Sequence, residues 1–357
     1  MIKEFSYYMP TKIVHTENFI DILDYYIDGR KTLLITSNGF KVRGTIKQIK
    51  NSTTTIVKVI SNIKSHPEFK DLKIIYDELK DIDYELILAI GGGSVLDAAK
   101  FFSISNEKKE YLYLENIIKS TTLTKNYSQT PIISIPTTAG TGSELTPWAT
   151  IWDMNEKKKY SLHLPELFSE VTIYDASLTL TVPKNITIQT ALDTLSHALE
   201  SIWNKNANEI TRNYAVKSAQ LIVENIIPLS NNLDNIIYRD NIMKASMYAG
   251  MAFSQTQTAI AHAMSYYITA HKNIPHGIAC SFTLPLLIDK ILGKYIFVDQ
   301  ALEEIFGELG SNKLRKIFLQ LNVPTDFKHY HTTLLEVLEN INNTRLVNSL
   351  IQKEDIL

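Results

Sequence analysis

Residues 86–100 constrain the fold more than any other stretch of this chain. Leu-Ile-Leu-Ala-Ile at 86–90 is an unbroken apolar run that leads into Gly91, Gly92 and Gly93 and then into an alanine-rich segment with helical spacing from about Ser94. A short apolar run bounded by glycines reads as a strand covered on both faces, the habit of parallel sheets. Strand, glycine turn and helix in succession also offer backbone N–H groups and the positive end of a helix dipole to a phosphate. The plain alternative is a glycine turn with no ligand. The spacing is not G-x-G-x-x-G, so the pattern points to a variant of the dinucleotide-binding theme.

The same rhythm recurs through the first half. Thr32 to Thr36 reads as a strand ending at Ser37-Asn38-Gly39, and residues 73–76 read as another. Residues 53–63 carry apolar side chains at helical spacing and read as a covering helix. Residues 131–136 form a further strand, which ends in Thr137-Thr138-Ala139-Gly140-Thr141-Gly142-Ser143-Glu144. Hydroxyls and glycines at a strand's carboxyl end are where open α/β sheets bind ligands. A solvated loop is the alternative, but two such loops on successive strands reinforce each other. From about Val182 the spacing turns helical, as in residues 210–227 and 241–253, and Pro183 suits the opening of a helix or the loop before it. The expectation is an α/β N-terminal Rossmann-like domain over 1–182 and an all-α C-terminal domain over 183–357.

Composition excludes several classes. Apolar residues make up 45% and charged residues 21%, a globular balance, and the net charge of −2 comes without a basic cluster that would track nucleic acid. Cys280 is the single cysteine, so no intrachain disulfide forms. Glu4 falls where a signal peptide would begin its apolar run, and no run approaches the ~20 apolar residues of a membrane span. A cytoplasmic protein without nucleic-acid or membrane partners is expected.

The second half carries a candidate metal site. Asp193 and His197 lie one turn apart in Ala-Leu-Asp-Thr-Leu-Ser-His-Ala-Leu-Glu, on one face of a helix. A carboxylate and an imidazole so placed suit a divalent metal if further imidazoles converge, and His262 and His276 are the downstream candidates. By spacing alone the pair reads as a capped or solvated polar pair, and only the company it keeps points to a metal.

Taken together, residues 91–100, residues 136–144 and the Asp193, His197, His262, His276 set resemble the iron-containing (group III) alcohol dehydrogenase family, and Arg345 and Asn348 resemble its closing helix. The resemblance implies a dehydroquinate synthase-like architecture, with a metal in a cleft between the two domains held by Asp193, His197, His262 and His276. It implies Fe2+, with Zn2+ or another divalent ion as alternatives, and NADPH or NADH. Ser37, Gly92, Gly93, Ser94, Asp97, Thr137, Thr138, Lys159 and Leu178 are the implied cofactor contacts, and a homodimer is expected.

Segments 202–208, 210–212, 254–262 and 276–285 look like the phosphonoacetaldehyde reductase branch. That branch implies reduction of phosphonoacetaldehyde to 2-hydroxyethylphosphonate. A general short-chain alcohol dehydrogenase and a sugar-phosphate cyclase-type lyase are the alternatives. Many family members carry a second histidine four residues after the third ligand; here it is Tyr266, a phenol that can also pass a proton. Arg212 and Lys205 are candidates for a phosphonate, Arg212 because its planar fork matches the oxygens, although a surface arginine in a salt bridge is the plain reading. Ser37 stands where NAD-preferring members often carry an Asp, and Lys41 and Arg43 follow it, which favours NADPH. Ser37 as a simple helix cap is the alternative. His163, His271, His329 and His331 fall outside the ligand pattern, with His271 the one rival ligand, and Cys280 reads as a buried structural thiol.

Overall fold

A computed structural model describes residues 4–119, 127–154, 156, 158–341 and 343–357. The chain divides into two compact units. One comprises Pro10–Thr138 and Ser143–Leu178; the other comprises Met1–Met9, Ala139–Gly142 and Thr179–Leu357.

The first unit is built on a six-stranded sheet. Its strands are β1 (Lys12–His15), β2 (Thr32–Thr36), β3 (Ile56–Ile60), β4 (Leu86–Gly91), β5 (Ile132–Pro136) and β6 (Val171–Tyr174). They run in the order β1-β6-β5-β4-β2-β3, every pair parallel. The unbroken apolar runs are explained by burial on both faces. Leu33, Ile35, Ile87, Ala89 and Ile132 join one core cluster, while their neighbours Leu34, Leu86, Leu88, Ile90 and Ile133 join the other. From β2 the next strand lies on one side, and from β4 the next lies on the other. The carboxyl ends of β2 and β4 therefore flank a topological switch point, where open sheets leave a crevice.

Two expectations for this unit are corrected. Residues 53–63 contain strand β3, and residues 73–76 lie inside the helix Phe69–Leu79. Ile-Val-Lys-Val-Ile is β-branched at four of five positions and pairs with β2, which outweighs its loosely helical spacing. Phe69, Leu72, Ile75, Tyr76 and Leu79 are buried at helical intervals, a stripe that a four-residue window cannot show.

The second unit is helical, as expected. Its principal elements here are α1 (Lys184–Ile202), α2 (Glu209–Asn231), α3 (Ile236–Thr256), α4 (Ile260–Lys272) and α5 (His276–Ser281). Pro183 occupies the N-cap of α1. Asn208 and Thr211 form a reciprocal capping box at α2, and Asn235 accepts from the backbone of Ile237 and Tyr238 at α3. Arg239, buried at 3% exposure, bonds Leu233 O, Thr187 Oγ1 and Val182 O, tying α3 to the segment leading into α1. Helix α5 crosses α1 at Gly277, where a Cβ would lie 1.9 Å from Gln189 O. No larger residue fits that crossing. Among the described residues, no helix is long and apolar enough to cross a membrane.

Candidate active site

The close crossing at Gly277 presses His276 toward α1, and α1 meets it with Asp193 and His197. Asp193 Oδ1 is the hub. It lies 3.9 Å from His197 Nε2, 3.4 Å from His262 Nε2 and 3.9 Å from His276 Nε2. The rings pack as well as converge, with His197 stacked on His262 at 4.5 Å between centroids and on Phe253 at 4.1 Å. Ligand atoms of Asp193, His262, His276 and Cys280 all lie within 4.8 Å of one another. The Cys280 thiol donates to Asp193 Oδ1 at 3.4 Å. Asp193, His197 and His262 are buried, whereas the His276 side chain is 34% exposed, so the group opens on that side.

The electrostatics suit a cation. Burial works against the Asp193 carboxylate, but His197, His262 and His276 outweigh it and hold the group well below the usual range. Burial pushes His197 down to about 4, against the pull of Asp193, which leaves a neutral imidazole with a free lone pair. Burial would lower His262 too, yet the Glu200 and Asp193 carboxylates drive it up to about 10. A proton on His262 thus stands where positive charge is wanted. The Cys280 thiol is pushed well up by burial and by Asp193, so it stays protonated. His262 Nε2 is buried without a hydrogen-bond partner. An anionic oxygen, the neutral His197 imidazole and the orphaned His262 Nε2, whose proton a cation would displace, are a donor set that fits iron or another borderline divalent ion.

Sequence reasoning missed Glu200. It follows Asp193 and His197 at i+7 and i+3 on α1, is 0% exposed, and sets Oε2 2.5 Å from His262 Nδ1. The spacing was the available signal, but a glutamate on a long helix ordinarily reads as solvated.

Tyr266, one turn after His262 on α4, has its ring parallel to that of His276 with centroids 6.5 Å apart. Arg212 sits in the first turn of α2 with its guanidinium 4.8 Å from the Phe297 ring centre, a cation–π contact. Lys205 is exposed, its backbone N–H bonded to Asn348 O. His271 is exposed and stacks on Tyr267, outside the ligand group. His163 packs edge-on to Trp148, and His329 edge-on to Tyr330. His331 sits exposed at a left-handed turn, φ 52°.

In the sheet unit, Ser37, Gly92, Gly93, Ser94, Thr137 and Thr138 lie at the carboxyl ends of β2, β4 and β5, whereas Asp97, Lys159 and Leu178 lie elsewhere. Thr36 Oγ1 donates to Ile90 O and Thr137 N to Gly91 O, binding the three strand ends together. A Cβ on Gly92 would sit 3.1 Å from Thr138 Oγ1, so glycine keeps these two loops close. Gly93 and Ser94 open the helix Gly93–Ser103, and Ser94 Oγ accepts from His66 N. Ser37 occupies the N-cap of the short helix Asn38–Val42 without a capping hydrogen bond from its side chain. Asp97 turns its carboxylate to the protein, accepting from Ser143 Oγ at 2.7 Å and Thr150 N at 3.1 Å. Lys159 lies in the strand Lys158–His163 close enough to stabilise the Asp97 charge, and Leu178 packs against the core.

Residues 10–176 match the family described as iron-containing alcohol dehydrogenase, and residues 187–356 match its C-terminal domain. The chain is 31% identical over 293 residues to sulfoacetaldehyde reductase of Bilophila wadsworthia, covering 80% of this chain and 74% of that protein. It is 28% identical to the aldehyde-alcohol dehydrogenase of Streptococcus pneumoniae, covering 78% of this chain but 33% of that longer protein. The crystal structure of sulfoacetaldehyde reductase from Bifidobacterium kashiwanohense in complex with NAD+ superposes with a TM-score of 0.92 at 23% identity, covering 99% of this chain and 96% of that one. The fold is therefore shared over its whole length, and the chain belongs to the iron-containing alcohol dehydrogenase family.

Proposed function

We propose that the protein reduces a small anionic aldehyde, phosphonoacetaldehyde, to its primary alcohol with a nicotinamide cofactor and a divalent metal. The convergence of Asp193 and three imidazoles, with His262 Nε2 left orphaned, is the observation that carries this reading. Asp193, His197, His262 and His276 would hold iron, which when bound would supply Lewis-acid polarisation of a carbonyl. Gly92, Gly93 and Ser94 offer backbone N–H groups to the pyrophosphate, with Thr137, Thr138 and Lys159 beside it. In this reading 1–182 carries the nucleotide and 183–357 the metal and substrate. A bound nicotinamide would supply the hydride, and Tyr266 Oη would donate the proton that the alcohol oxygen requires. Arg212 and Lys205 hold the anionic head group. Ser37, without a carboxylate to repel a 2′-phosphate, favours NADPH.

A second reading, sulfoacetaldehyde, is supported by the relatives named above. Both substrates are two-carbon aldehydes with a tetrahedral anion. Steady-state kcat/KM for phosphonoacetaldehyde, sulfoacetaldehyde and uncharged propionaldehyde decides among them. We expect phosphonoacetaldehyde to lead by at least ~10-fold, about 1.4 kcal/mol of transition-state binding. A lead for sulfoacetaldehyde supports the second reading, and a lead for propionaldehyde overturns both.

A further inference from the structure

The second carboxylate of α1 has no place in the ligand set, yet it is the more deeply buried of the two. Glu200 is 0% exposed, and both its oxygens are engaged. Oε2 accepts from Ala259 N at 3.0 Å and faces His262 Nδ1 at 2.5 Å. Oε1 accepts from the backbone N–H groups of Ala261 and, at 3.2 Å, His262. Three amide donors at the start of α4 bond the two carboxylate oxygens, so both act as acceptors. An acceptor against Nδ1 requires a proton on Nδ1. In the neutral imidazole the lone pair then falls on Nε2, the atom that lies 3.4 Å from Asp193 Oδ1 without a hydrogen bond.

We propose that Glu200 is the positioning residue of the metal centre, fixing His262 as the Nδ1–H tautomer so that Nε2 is presented as a ligand. The proposal rests on the metal-site reading above. Glu200 does not touch substrate or cofactor in this role. It orients a ring and strengthens the ring's donor power, as carboxylates behind metal-bound histidines do elsewhere. Because the same carboxylate gathers the first N–H groups of α4, it also sets where that helix begins. The competing account is that Glu200 is only a helix cap.

Glu200→Gln separates the two accounts. Glutamine keeps a carbonyl oxygen for the amides of Ala261 and His262, so a cap largely survives. Its NH2 group replaces the acceptor facing His262 Nδ1, which disfavours the Nδ1–H tautomer. Metal-stripped wild type and variant are titrated with Co2+ against a chromogenic chelator, while the visible d–d bands report coordination. We expect affinity to fall ~10–100-fold in Glu200→Gln with altered bands, and partial recovery in Glu200→Asp, which retains the charge. Equal affinity and unchanged bands in the glutamine variant overturn the proposal and leave the metal site standing. Failure of wild type to bind Co2+ overturns both. Should the variant not fold, 15N NMR of histidine-labelled wild type loaded with Zn2+ answers the same question: a proton on His262 Nδ1 supports the proposal, and a bare Nδ1 overturns it.

Discussion

Each unit buries a charge that water would otherwise hold, and the two are satisfied differently. In the sheet unit, Lys100 is 1% exposed, and its ammonium donates to Ser143 O, to Thr146 O at 2.8 Å and to Trp148 O at 2.7 Å. Three carbonyls take up three N–H donors, and nothing is left over for a ligand. In the helical unit, Asp193 meets three imidazoles, and His262 Nε2 still has no hydrogen bond. A saturated buried charge is architecture, whereas a buried charge with an orphaned donor atom beside it marks a place for something else. Depth of burial does not tell the two apart; the remaining valence does.

The largest expected effect breaks that comparison directly. His197→Ala removes one donor from the helical group and opens space beside Phe253. Metal content after dialysis should fall to background, and kcat/KM should drop by more than ~10²-fold, beyond what losing an outer partner costs. Lys100→Met, by contrast, should leave metal content intact. A His197→Ala enzyme that keeps both metal and turnover removes the distinction between the units.

How much of this was legible in the sequence follows the same line. The parallel sheet announced itself because residues 86–93 combine a doubly buried strand with glycines, both local signals. Residues 73–76 were misleading because four apolar-rich residues carry no period, and the helix stripe emerges only across Phe69–Leu79. Asp193 and His197 shared a face by spacing alone, while His262 and His276 were only downstream candidates until the family resemblance implied them as ligands. Glu200 was illegible because its burial depends on the start of α4 docking onto it, a contact between segments some 60 residues apart. The plain reading of Arg212 was a salt bridge, and the structure instead offers it the Phe297 ring, a partner on another helix. Long-range partners decide such residues, and a single sequence does not list partners.

A smaller effect sharpens the contrast within the sheet unit itself. If ligand chemistry there lies at the strand ends rather than in the buried charge, Ser37→Asp should change cofactor choice without changing stability. Ser37 lies at the end of β2 with its side chain making no capping bond. A carboxylate there repels a 2′-phosphate and accepts from a ribose 2′-OH. The ratio of kcat/KM for NADPH to that for NADH should fall by roughly 10-fold, about 1.4 kcal/mol. A wild type that strongly prefers NADH, or a variant with an unchanged ratio, removes Ser37 from the cofactor site.

The smallest effect concerns Lys100 alone and is read in stability rather than turnover. Burial pushes its ammonium down from 10.5 to about 8, with Asp97 and Glu144 pulling the other way. Between those two values the unfolded chain holds a proton on Lys100 that the folded chain has lost, so stability from this group rises with pH. The contribution is complete above the unfolded value and gone below about 8. Asp97 and Glu144 are themselves raised by burial, and Tyr174 is pushed well above its usual value by burial and by Glu144. Comparing wild type with Lys100→Met reports Lys100 together with its coupling to Asp97 and Glu144. Urea unfolding at intervals from about pH 7 to 10 should show the wild-type advantage, of whatever sign at neutral pH, growing above pH 8 by at most about 1.4 kcal/mol per pH unit. A gap that stays flat through this range would mean that the three carbonyls stabilise the ammonium enough to cancel its desolvation, making Lys100 a saturated site in energy as well as in geometry.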